Sequence, residues 1–152
     1  MIYLLDTNTL IHMMRGLKIT SPRNERESSR QQLGRRIFDR ARRKETAGHE
    51  VAVSSITVAE LEFGAQHSGA YKREIEITRR ILTPFTLLDF DSAECVRCYG
   101  EVRNSLGGIG KSIGPLDTLI AAHALAVEAT CVTSNESEFA RVSGLKVENW
   151  TA

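Results

Sequence analysis

Asp6 directly follows the apolar run Ile2-Tyr3-Leu4-Leu5 and precedes Thr7-Asn8-Thr9 and a new apolar-periodic stretch. A strand that ends on an acid where a helix begins puts a carboxylate at the carboxyl edge of a sheet, where open α/β folds keep their ligands. Glu60 and Asp117 fall in the first turns of two further predicted helices, so three acids are expected to converge on one crevice. At ~4 Å each pair would repel by about 4 kcal/mol at an effective dielectric of 20, against a total fold stability of only ~5–15 kcal/mol. Such a cup needs a trapped proton or a cation, and with oxygen donors alone the natural guests are Mg²⁺ and Mn²⁺. Thr133-Ser134-Asn135, at the end of a later strand, offers a further donor through Asn135. Asn8 offers another, or a hydrogen bond to a carboxylate.

Each residue also has a purely structural explanation. Asp is a favoured N-cap, which accounts for Asp6, and Thr57-Val58-Ala59-Glu60 has the spacing of a capping box. Asn135 and Glu138 have the N-cap and N3 spacing, and of the two Asn135 is the stronger site candidate. Asp117 resists this treatment. Its helix is apolar nearly all round, with Ile120, Ala121 and Ala124 on the same face, so its side chain is expected to be buried, and neither a cap nor a helix dipole requires an unpaired buried carboxylate.

The elements that must hold these residues alternate. Strands are predicted at residues 2–5, 51–53, 85–88, 131–133 and 146–149. Helices are predicted from Leu10 to a stop at Gly16, at 29–47, 54–66, 73–82, 93–106 and 115–128, with a short turn at 137–139. Val96, Tyr99 and Val102 are expected inward on the fifth helix, Gly107 to Gly110 form a loop, and residues 17–28 a mobile connection. This alternation predicts an α/β fold in which a central, mostly parallel sheet is flanked by helices on both faces.

The 152 residues suit one domain, 1–152, and no apolar run approaches the ~20 residues of a membrane span. Three cysteines are too few for a disulfide framework, and no secretory leader is visible, so a cytoplasmic protein is expected. Net charge is +1 but unevenly spread: residues 15–50 hold 11 Lys/Arg against 5 Asp/Glu. Arg30, Arg36, Arg40 and Arg43 in that segment are either phosphate contacts for a polyanion or a solvated helix face. Two patterns are set aside. Gly107-Gly108-Ile109-Gly110-Lys111-Ser112 lacks the first glycine of a phosphate loop, which falls on Ser105. Cys95 and Cys98 have metal or redox spacing but sit mid-helix without a second ligand pair. His123, on the apolar helix, is expected to be a satisfied core or interface residue.

Four stretches in order, Leu4-Leu5-Asp6-Thr7-Asn8, Ser54 to Leu61 with Gly64, Ile113 to Ala124 around Pro115-Leu116-Asp117, and Val132 to Asn135 with Glu138-Phe139 before Trp150, resemble the PIN-domain ribonucleases, and most closely the VapC toxins of bacterial toxin–antitoxin pairs. The resemblance implies a PIN-like fold and a metal-dependent endoribonuclease with Asp6, Glu60 and Asp117 as its acidic residues and metal ligands. It further implies an RNA substrate of the tRNA or rRNA class, cut by water to leave a 3′-hydroxyl and a 5′-phosphate. A homodimer and a small VapB-like antitoxin that inserts an Arg-bearing segment near the acids are also implied, with operator DNA bound only through the antitoxin. The chain departs from many relatives in carrying Asn135 where they have a fourth acid, and in its long Arg-rich segment. Two rivals remain: a non-catalytic RNA- or partner-binding domain, motivated by that missing acid, and a phosphatase with Asp6 as nucleophile. The phosphatase would need a second Asp where Asn8 stands.

Overall fold

The computed structural model describes residues 1–152, with β1 (Ile2–Leu5), α1 (Thr7–Leu17), α2 (Glu25–Thr46), β2 (Glu50–Ser54), α3 (Ser55–His67), α4 (Tyr71–Leu82), β3 (Thr86–Leu88), α5 (Glu94–Gly108), α6 (Pro115–Ala126), β4 (Thr130–Val132), α7 (Glu136–Phe139) and β5 (Lys146–Glu148) in chain order. The five strands form one sheet in the order β3-β2-β1-β4-β5, and every pairing is parallel. Continuous apolar strands require cover on both faces, and the period-two alternation of β1 shows how it is shared. Tyr3 and Leu5 point to one side, where Val51 and Val53 join Leu10 and Met13 of α1 and Ile37 and Ala41 of α2. Leu4 points to the other, where Ala52 and Cys131 meet Ile120, Ala121 and Ala124 of α6 and Val102 and Leu106 of α5. No helix is long and apolar enough to cross a membrane.

β2 and β3 extend the sheet on one side of β1, and β4 and β5 on the other. Chain order therefore reverses between β1 and β4, which opens a crevice at their carboxyl ends. Asp6 stands at that point, its backbone N–H donating to the Val132 carbonyl at 2.9 Å.

Several sequence expectations need correction. Gly16 does not stop α1, which runs on to Leu17. It is buried, and a Cβ there would lie 2.6 Å from the Gly34 Cα and 2.3 Å from the Arg30 carbonyl oxygen, so the two glycines let α1 and α2 cross backbone to backbone. The expected mobile stretch is shorter: Asn24 caps α2 by accepting the Glu27 N–H at 2.8 Å, so the helix begins at Glu25. On α5 the inward residues are Cys95, Cys98, Val102 and Leu106, whereas Val96 is 52% exposed. Cysteine behaves as a small hydrophobe, and counting both cysteines as apolar rotates the face to that phase. Gly107 and Gly108 belong to the last turn of α5 rather than to a loop.

Candidate functional site

Asp6 is 1% exposed and does cap α1, its Oδ1 accepting the Thr9 N–H at 2.8 Å. The cap fixes the side chain at the switch point without consuming both oxygens. Glu60 is different. Ser54 caps α3, its Oγ accepting the Ile56 N–H at 3.1 Å, so the helix starts three residues before the capping box would require, and Glu60 lies in the second turn. Thr7 Oγ1 instead donates to Glu60 Oε1 at 2.8 Å. Its one proton is thereby used, so the 2.9 Å contact between Thr57 Oγ1 and Thr7 Oγ1 has Thr57 as donor. Sequence reasoning misses Thr7; its place beside Asp6 in the first turn of α1 is the available signal.

Asp117 lies at the start of α6 and is half-buried, not fully buried as expected. Burial pushes its carboxyl from an ordinary 3.8 up to about 6, and the charges of Asp6, Glu138 and Glu60 push the same way. Four carboxylates thus share one field. Glu138, ranked below Asn135 from sequence, is the fourth. Asn135 makes no helix cap with its side chain; its Nδ2 donates to Glu138 Oε2 at 2.7 Å, and its backbone N–H donates to the buried Thr133 Oγ1 at 2.9 Å. Asn8 is exposed and forms no hydrogen bond to a carboxylate.

No three of these side chains stand close enough to hold one ion among their own oxygens, so the expected ~4 Å cup is not formed. The all-oxygen donor set and the concentrated charge fit an ion that takes one or two carboxylates and keeps several waters, which is the habit of Mg²⁺.

The four candidate arginines divide. At 100° per residue, Arg36, Arg40 and Arg43 lie within about 60° of one another and Arg30 about 80° beyond. Arg36 Nη1 donates to the Thr151 carbonyl at 3.1 Å and the Arg40 guanidinium sits 5.8 Å from the Trp150 ring centroid, so both fasten the C-terminal segment. Arg30 and Arg43 are exposed and form no ion pair.

His123 is fully buried in the core, its Nδ1 2.7 Å from Ser54 Oγ and its ring edge-on to Phe90, but it is only half satisfied, because its buried Nε2 has no hydrogen-bond partner. Burial holds its pKa below the usual imidazole value. Cys95 is in the first turn of α5 rather than mid-helix, yet burial raises both its thiol pKa and that of Cys98, which leaves them unreactive.

The sequence profile of the PIN domain matches residues 3–145. The chain is 42% identical over 100 residues to Ribonuclease VapC2 of Rickettsia felis, covering 66% of this chain and 74% of that protein. It is 30% identical, over 97% of both chains, to the tRNA(fMet)-specific endonuclease VapC of Salmonella typhimurium. Among solved structures, the crystal structure of VapBC2 from Rickettsia felis bound to a promoter DNA fragment contains a chain that superposes with a TM-score of 0.82 at 33% identity, over 99% of both chains. The chain belongs to the PIN-domain family, within its VapC ribonucleases.

Proposed function

We propose that this protein is the toxin of a VapBC-type toxin–antitoxin pair, a Mg²⁺- or Mn²⁺-dependent endoribonuclease that hydrolyses phosphodiester bonds in an RNA of the tRNA or rRNA class. The observation that carries the reading is the half-buried Asp117 carboxyl at the switch point, opposed in its ionisation by burial first and then by the charges of Asp6, Glu138 and Glu60, a strain that a divalent cation or a proton would relieve. Asp6 and Asp117 would hold the ion, with Glu60 reaching it through water. When bound, such an ion offsets the carboxylate charge and supplies Lewis acidity toward a phosphodiester. The chain supplies rigidity. The Thr9 amide fixes Asp6, the Thr57–Thr7 pair orients Glu60, and Asn135 orients Glu138. Water is the nucleophile, so the products carry a 3′-hydroxyl and a 5′-phosphate.

The solved VapBC complex on promoter DNA supports an antitoxin as partner and operator binding through the toxin–antitoxin complex. The name of the Salmonella typhimurium relative supports tRNA as the substrate class. Homodimerisation belongs to the same reading.

Incubation of the purified protein with end-labelled tRNA should give discrete fragments in Mg²⁺ and none in chelator. Asp6→Ala should remove the activity while the circular dichroism spectrum stays that of the parent. An uncut tRNA and rRNA pool, or cleavage of equal rate by Asp6→Ala, would overturn the assignment. Arg30 and Arg43 are assigned to sequence-independent phosphate contacts. Reversing both to Glu should weaken RNA binding and reduce the slope of log K against log salt by roughly 2, about one for each phosphate no longer neutralised.

A further inference from the structure

Phe63 is 68% exposed, the most exposed large apolar side chain of the protein. A single exposed hydrophobe is ordinary, but this one is paired. Its ring stacks on His67 with centroids 5.7 Å apart and planes inclined by 16°. Both rings belong to the stripe of α3 that begins at Glu60. At 100° and 1.5 Å per residue, Phe63 and His67 lie within about 60° of Glu60 and roughly 4.5 and 10 Å along the axis from it. A flat aromatic surface therefore continues the Glu60-bearing stripe toward the C-terminal end of α3.

On the other flank of Glu60 runs a groove between α1, α3 and α4 in which Arg15, Lys18, Glu60 and Glu74 stand over the apolar Met14 and Leu61, with Gly64 on its wall. Lys18 is engaged by Glu74 at 2.8 Å, whereas Arg15 is exposed and takes part in none of the ion pairs. One free cation and an open wall at Gly64 flank Glu60 on one side, and an aromatic face flanks it on the other. This combination matches a single-stranded nucleic acid, whose backbone seeks positive charge and whose bases all carry a π face.

We infer that Phe63, backed by His67, is the stacking platform for an unpaired base beside the scissile phosphodiester, with Arg15 facing the neighbouring phosphate. This rests on the nuclease reading above, with which it shares Glu60.

The test uses Phe63→Leu, which keeps apolar bulk without a π face, and Phe63→Trp, which keeps stacking. Binding is measured in the Asp117→Asn background with fluorescein-labelled oligoadenylate and with the same oligomer made abasic. Phe63→Leu should weaken binding about tenfold, and the abasic oligomer should bind parent and Phe63→Leu alike. Phe63→Trp should bind as the parent does, and oligoadenylate should quench its emission, because the native Trp150 is fully buried and gives a constant background. In the cleavage-competent protein, Phe63→Leu should raise KM more than it lowers kcat.

Equal oligomer affinity in Phe63→Leu and the parent overturns the platform, and the nuclease reading stands if the parent still cuts RNA. Loss of affinity for the VapB-like antitoxin alone, with RNA binding intact, also overturns it and makes this face a protein-docking surface. A parent that cuts no RNA overturns the nuclease assignment, while the oligoadenylate arm still decides by itself whether the rings bind a base.

Discussion

Asp117→Asn is expected to give a protein that is more heat-stable than its parent in chelator and devoid of RNase activity. The carboxyl sits at about 6 because burial and three neighbouring carboxylates oppose its ionisation. The folded state therefore binds the Asp117 proton more tightly than the unfolded chain, whose carboxyl keeps an ordinary value near 3.8. Between those two values the folded state holds more protons, so stability falls as pH rises, and the full penalty is present above about pH 6. Allowing for partial exposure, the penalty is on the order of 2 kcal/mol at neutral pH, and relieving it should raise Tm by about 5 °C. The gain should shrink as pH is lowered toward 4, where parent and variant are both neutral at this position. Differential scanning calorimetry from pH 4 to 8, with RNA cleavage measured in Mg²⁺ alongside, checks both halves. An Asn variant that is less stable at pH 7 and equally active would show that position 117 carries ordinary helix-start chemistry.

Gly16→Ala should cost about 3 kcal/mol or more, a large share of the ~5–15 kcal/mol that holds a domain together. The new methyl would meet the Arg30 carbonyl and the Gly34 Cα at 2.3 and 2.6 Å. Both are backbone atoms, so no rotamer change relieves the overlap and α1 must part from α2. That separation loosens Leu10, Met13, Ile37 and Ala41, which are all fully buried. The helix following Asp6 would move with it, so RNA cleavage should fall as well. Gly100→Ala, in α5 with nothing within 4 Å of the added methyl, is the control and should stabilise by about 0.5–1 kcal/mol. Urea unfolding of the three proteins at equal m-value measures the contrast.

These two substitutions also mark what is legible in the chain and what is not. Asp6 is readable as a strand-end acid because burial on both faces imposes a continuous apolar run and the acid interrupts it. The stripe Ile120, Ala121 and Ala124 identifies the face of α6 that meets the sheet, and the same local periodicity locates nearly every element. Gly16 reads as a helix stop because, within one helix, a glycine only weakens the structure. Its value appears when Gly34, eighteen residues away, is laid against it. Glu60 is expected a turn too early because Ser54 competes with Thr57 for the cap, and that competition is settled by where β2 ends against the sheet. Glu138 ranks below Asn135 on spacing alone, which shows only a possible cap, whereas the fold turns Asn135 into the residue that holds Glu138.

The order of residues by itself determined the alternating elements, the all-oxygen character of the candidate site and the family of the chain, because these depend on periodicity and residue type within short windows. Only the tertiary structure decided that Thr7 would serve Glu60, that Arg36 and Arg40 would be engaged by the C-terminal segment while Arg30 and Arg43 stayed free, and that Phe63 would be left bare on the stripe of α3 that carries Glu60. Those outcomes depend on distances between segments far apart in the chain, which are fixed by helix crossing and strand order and by no local preference.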